Sequence, residues 1–218
     1  MQAILTIWLN QPVDGIVETK NSKQKILTAA IQEFSELGFA GARMESIARR
    51  ADINKAMLHY YFSSKQNLYQ AAIKHGIKQI FPKIRNLLLT ENNPEKFLEK
   101  LPRLYISFFW ENQAFVRMIS FNFLQCQSTI RDAFEDFFTS RFTQGPRFFA
   151  RKIKKWHEEG KISEPDPAQF ILNVVSLCLF FVIAKPIMEA ILDIEVDKSF
   201  FETRINSVIN ILKRGMLT

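Results

Sequence analysis

From about residue 22 onward, apolar positions recur with a helical period. Ile26, Leu27, Ala30, Ile31, Phe34 and Leu37 form one stripe. Asn21 stands before it as a cap, with Gln24 three residues on as a capping box requires, and Gly38 is placed to stop the helix. A second, short helix is predicted over about 43–50, because Met44, Ile47, Ala48 and Ala51 share one face. Ala51-Asp52-Ile53 is then a three-residue turn, and Asp52 suits it because Asp tolerates the left-handed region better than most residues. Asn54 caps a third helix that runs to about Tyr60. Ser63, with Gln66 at N3, caps a fourth that continues through Leu68, Ala72 and Ile80 to Pro82.

The remainder reads as helix throughout, over about 83–90, 95–111, 113–125, 129–160, 167–192 and 198–214. Breaks fall at Asn92-Asn93-Pro94, Glu111-Asn112, Gly145-Pro146, Gly160 with Pro165 and Pro167, and Asp193 to Asp197. Residues 1–20 show no period and contain Pro12 and Gly15, so they read as an arm. The expected fold is all-α. The arm (1–20) precedes a small three-helix unit with a helix-turn-helix (21–68), and a larger helical domain follows (69–218). The longest apolar run, Phe170 to Ala184, is 15 residues and includes Asn173 and Ser176. A bilayer span needs about 20 apolar residues, so a buried helix is expected. Met1 to Leu9 is apolar but lacks a basic start and a small-residue cleavage site, which points to a cytoplasmic protein.

Charge sharpens this picture. The chain carries a formal charge of +7. Between Lys20 and Lys65 lie eight bases against four acids, a local excess suited to phosphate contact. Cys126 and Cys178 form no C-x-x-C pair, and His75 and His157 are lone helical histidines. His157-Glu158-Glu159 lacks metal-ligand spacing, and the nucleotide-binding, zincin and nucleophile-elbow motifs are absent. No enzyme, metal or cofactor is therefore expected.

The stretch ILTAAIQEFSELGFAGARMESIARRADINKAMLHYYFSSKQNLY, from Ile26, resembles the TetR family of transcriptional regulators. Ala30, Phe34, Gly38-Phe39, Ile47-Ala48, Ala51, Lys55, Leu58, Tyr61-Phe62, Lys65 and Leu68 carry the likeness. The resemblance implies a recognition helix from Asn54 to Tyr60, with Lys55, Ala56, Met57, His59 and Tyr60 facing the groove. It implies phosphate contacts from Tyr61, Lys65 and Arg43, which position the protein without reading bases. Departures from the family pattern at Ala42, Arg43, Asp52, Ala56, Met57 and His59 put the operator sequence in doubt. They also leave a second reading, a ligand-binding or protein-interaction module whose helix-turn-helix is degenerate.

In the family the remaining two thirds form a dimer and hold an effector pocket. By that likeness Leu172, Val175, Leu179 and Val182, with Ile205, Val208, Ile209 and Leu212 of the last helix, would face a second copy. Sixteen of the 21 phenylalanines lie between Phe108 and Phe201. They read either as a bulky core or as an apolar pocket for a small hydrophobic ligand, aromatic or long-chain. The pocket would be lined by Phe108, Phe109, Trp110, Met118, Phe121, Phe123, Phe137, Phe138 and Phe181, with Arg117, Asn122, Gln125, Arg141 or Asn173 as polar anchor. The function expected from all this is a homodimeric, ligand-responsive regulator of double-stranded DNA. It would act as a repressor on a palindromic operator.

Overall fold

The computed structural model describes the backbone of residues 14–123, 131–133, 135 and 145–218, and side chains within 21–121, 131–133, 135 and 147–218. Its helices are α1 (Asp14–Gly41), α2 (Met44–Arg50), α3 (Lys55–Tyr61), α4 (Lys65–Thr90) and α5 (Pro94–Glu111). They continue with α6 (Gln113–Phe123), α7 (Gly145–Glu158), α8 (Pro167–Leu192) and α9 (Lys198–Met216).

The start of α1 corrects the expectation of an arm up to residue 20. The helix already runs from Asp14, so Asn21 is an interior residue and not its cap. Inward, Ile26, Ala30 and Phe34 are fully buried as the stripe requires, whereas Leu37 is exposed. Gly38 breaks the helix at φ 66°. A side chain there would be strained, and its Cβ would also fall 3.2 Å from the Phe121 ring of α6.

The turn between α2 and α3 follows the sequence expectation, with Asp52 at φ 54°. The Asn54 side chain accepts from the Met57 N–H at 2.7 Å and so caps α3. The cap of α4 is one residue later than expected. Ser64, in extended conformation, accepts from the Asn67 N–H at 3.1 Å, while Ser63 Oγ accepts from Asn67 Nδ2.

A second correction concerns Pro82, which does not end α4. A proline inside a helix costs about 3 kcal/mol. Ile77, Ile80, Ile84, Leu87 and Leu88 continue one buried face across it. Burying each such side chain is worth about 1.5–3 kcal/mol, so packing outweighs the lost hydrogen bond. The boundary expected after residue 68 therefore lies inside a continuous helix, and α4 runs from the DNA-binding unit into the larger one.

The most extensive helix contact joins α1 to α6, and α4 packs on both α1 and α5. Beyond them α5, α7, α8 and α9 form the second layer. Trp156 of α7 is buried and donates from Nε1 to the Asn92 carbonyl at 3.1 Å. Beside it Lys152 Nζ donates to the Leu88 carbonyl in the last turn of α4, a cation at a helix C-terminus.

α8 is long and apolar enough to cross a membrane by length and composition, yet only 28% of its most apolar window is buried within the protomer. Its outward row is Leu172, Phe180, Ile183, Ile187 and Ile191. Val175 and Leu179, expected on that row, turn inward. Ile205, Val208, Ile209 and Leu212 of α9 are likewise buried in the protomer core, leaving Ile211 outward. α8 is apolar nearly all round and gives no phase from which to choose its outer face, whereas the single apolar face of α9 is taken up by the protomer core.

Candidate nucleic-acid interface and ligand cavity

The helix-turn-helix core is small. Ile47, Ala48, Ala51, Leu58 and Phe62 are buried, and Ile26, Ala30 and Phe34 of α1 complete it. Of the seven residues of α3 only Leu58 is buried. Lys55, Ala56, Met57, His59 and Tyr60 all face outward, together with the Asn54 cap. Tyr60 is 84% exposed, so it does not pack on α1. Its ring meets Tyr61 edge-on at 5.4 Å, and Tyr61 is partly buried at the end of the helix. Arg43 is exposed at the N-terminus of α2, and its side chain caps nothing. These residues present one convex, basic and aromatic face.

Lys65 has a different setting from the free phosphate contact expected of it. Its Nζ donates to the Ala40 and Ala42 carbonyls at 3.3 and 3.1 Å and lies 4.8 Å from the centre of the Phe39 ring. It ties α4 to the link between α1 and α2.

Arg50 also acts within the protein. Its guanidinium holds Glu36 of α1 through two bonds, at 3.0 and 2.6 Å, and reaches the buried Glu33 at 3.3 Å. The Arg50 hydrogen bond holds the Glu36 carboxyl below the usual carboxylate range, with Gln32 and Arg117 adding to the effect. This pairing sets the angle of α2 against α1 and hence the presentation of α3. No local pattern signals it, because two adjacent arginines on a helix end read as a solvated face.

The larger unit encloses an apolar space. An inner cavity of about 260 Å³ is lined by Ile77, Ile80, Phe81 and Ile84 of α4, Tyr105, Phe108 and Phe109 of α5, Phe115, Val116, Ile119 and Ser120 of α6, and Val175 and Leu179 of α8. An outer cavity of about 420 Å³ adjoins it, sharing Phe81, Ile84 and Tyr105 and continuing between Phe97, Phe149, Ala168 and Ile171. Burial pushes the Tyr105 hydroxyl above the ordinary phenol range, so it is a neutral donor here. Burial also pushes the Cys178 thiol up to about 12, which leaves it unreactive.

Of the residues expected to line a pocket, Phe109 does so, as do Phe108 and Tyr105 beside it. Trp110 instead stacks on Phe181, packs tilted against Phe201 and carries Lys185 over its ring. Met118 is fully buried, and its carbonyl accepts from the Tyr69 hydroxyl. Phe121 packs half-exposed against Gly38, and Asn173 is exposed on α8. The Asn122 and Phe123 side chains, Gln125, Phe137, Phe138 and Arg141 lie outside the described residues. The four residues of α4 were missed because the pocket expectation followed the phenylalanine-rich stretch beyond Phe108. Read as one helix, its stripe of Ile77, Ile80 and Ile84 would have signalled them.

A short, outward-facing recognition helix on a three-helix unit, followed by a larger helical bundle around an apolar cavity, is the build of a helix-turn-helix transcriptional regulator. Residues 26–72 match the model of bacterial regulatory proteins of the tetR family. The chain is 24% identical over 192 residues to IcaR, the negative transcriptional regulator of the biofilm operon icaADBC in Staphylococcus aureus strain Newman. That alignment covers 87% of this chain and 97% of IcaR. It is 32% identical over 94 residues to the transcriptional repressor NicS of Pseudomonas putida, covering 43% of this chain and 42% of NicS. Among solved structures it resembles FadR from Bacillus subtilis in complex with stearoyl-CoA, with a TM-score of 0.66 at 14% identity over 87% of this chain and 96% of FadR. Residues 26–72 thus resemble the DNA-binding part of the TetR family, and the relatives IcaR and NicS are transcriptional regulators.

Proposed function

We propose that this chain is a cytoplasmic, homodimeric repressor that binds a palindromic operator and leaves it when a hydrophobic ligand enters the cavity. The observation that carries the DNA-reading part is the α3 surface. A helix that buries only Leu58 and presents Lys55, Met57, His59 and Tyr60 is built for a groove. Asn54 and Ala56 flank that surface, and Arg43 and Tyr61 meet the phosphates beside it. Lys65 contributes by holding the frame.

The dimer is supported by the outward row of α8. Leu172, Phe180, Ile183, Ile187 and Ile191 make a continuous apolar strip of the kind that marks an interface. A second copy across a two-fold axis would cover it, with Ile211 of α9 at its edge. Two recognition helices would then meet successive major grooves about 34 Å apart. Repression is the mode named for IcaR and NicS. The ligand reading rests on the apolar lining of the cavity and agrees with stearoyl-CoA in the FadR structure.

The test of DNA reading is duplex affinity against salt. The logarithm of affinity is expected to fall linearly with the logarithm of salt concentration, as when several phosphates are neutralised together. A flat response would refute it.

A further inference from the structure

Beside the inner cavity lies a third space of different chemistry. A groove of about 410 Å³ lies between α1, α6 and α8 and shares Val116 and Ser120 with the inner cavity. Its other lining includes Ser35 of α1, Gln113 and Arg117 of α6, and Lys185 and Glu189 of α8. The two cavities behind it have Tyr105 and Ser120 as their polar side chains, among the described residues. The apolar cavities and the cation-bearing groove thus lie side by side, with Val116 and Ser120 lining both the inner cavity and the groove.

We propose that the effector is an anionic amphiphile, with its chain in the two apolar cavities and its carboxylate or phosphate head on Arg117 in this groove. The inference rests on the reading of the cavity as the effector site. Lys185 is partly committed, since it lies 3.7 Å from Glu189 and 5.2 Å from the centre of the Trp110 ring. Arg117 is exposed, and its charge acts on Glu36. An arginine beside an apolar cavity suits a planar or tetrahedral anion, which it can grip with two N–H groups.

The position also explains how such a ligand would act. Ser35 lies next to Glu36 in α1, and Glu36 holds Arg50 at the end of α2. An anion on Arg117 withdraws that charge from Glu36 and occupies the seam where α1 rests on α6. The ligand thus favours the arrangement of α1 in which the groove is open, and shifts the presentation of α3 through differential affinity.

The experiment is calorimetric titration of the full chain with hexadecanoate, hexadecanoyl-CoA and hexadecanoate methyl ester, each below its micellar concentration. At least one of the two anions is expected to bind about tenfold more tightly than the neutral ester, as one charge-assisted contact provides. Whichever does so identifies the source of the head group. Arg117→Gln should erase the preference and leave ester affinity unchanged, while Arg117→Lys keeps most of it. Equal binding of all three, or a preference that survives Arg117→Gln, overturns the head-group site and leaves the apolar cavity as a ligand site. Binding of none overturns both. Matching thermal unfolding of the variants and the parent excludes misfolding as the cause.

Discussion

Phe115 of α6 lies so close to Gly76 of α4 that a Cβ added at Gly76 would stand 2.1 Å from its ring. The same ring lines the inner cavity, so this contact fixes both the packing of α4 on α6 and the size of the space. Gly76→Ala is expected to drive the ring toward the cavity. Overpacking of this kind costs about 1–3 kcal/mol, which denaturant unfolding would read as a lower midpoint. Ligand affinity should fall with it. A variant as stable as the parent would mean that the ring moves without cost.

Arg50 and Lys65 should behave unlike the outward bases. Arg50→Ala strips the buried Glu33 of its counter-charge, and an unpartnered buried group costs about 1–3 kcal/mol. The variant should lose stability and DNA affinity together, because α2 is no longer held to α1. Lys65→Gln should likewise lower stability, by releasing the Ala40 and Ala42 carbonyls.

Lys55→Gln and Tyr60→Ala isolate the reading face. Both residues are exposed, so unfolding should be unchanged while operator affinity falls. Lys55→Gln should also reduce the slope of log affinity against log salt by about 1, if it meets a phosphate. A loss of affinity with no change in slope would assign Lys55 to a base instead.

Much of this face was legible in the sequence, because its signals are local. The Asn54 cap, the αL position at Asp52 and the stop at Gly38 each depend on a few neighbouring residues, and all three are found. Long-range relations were not legible. Nothing near Pro82 says that Ile84 and Leu88 will be buried against α5 and α7, and nothing near Arg50 says that it will meet Glu33 and Glu36. The outer face of α8 was hidden for a further reason, since a uniformly apolar helix carries no phase.

The proposed dimer rests on that face. Phe180→Glu or Ile187→Glu places a charge in the middle of the outward row and should yield a monomer by sedimentation. The protomer should stay folded, since neither residue is buried within it. Operator affinity should drop sharply, because one recognition helix alone makes half the contacts. Dimers that persist with these charges would move the interface elsewhere.

A pH effect is expected at the join of α1 and α4. His75 Nε2 lies 3.1 Å from Gln24 Nε2 and 2.9 Å from Gln79 Nε2, so a neutral ring shares its one lone pair between two amide donors. Burial, with a contribution from Lys78, holds the imidazole below the ordinary histidine range. The folded state therefore binds its proton less readily than the unfolded chain. This stabilisation is full above the ordinary histidine pKa of about 6.5 and is lost as pH falls through the lower folded value. His75→Gln should flatten the stability profile in that window, and an unchanged profile would exclude His75 as its source.

The most direct test of the whole account is selection of binding sites from random duplex DNA by the purified protein at near-physiological salt. The account predicts enrichment of an inverted repeat with half-sites one helical turn apart, lost in Phe180→Glu and in Tyr60→Ala. Failure to enrich any sequence, from a folded dimer freed of bound ligand by refolding, would contradict it.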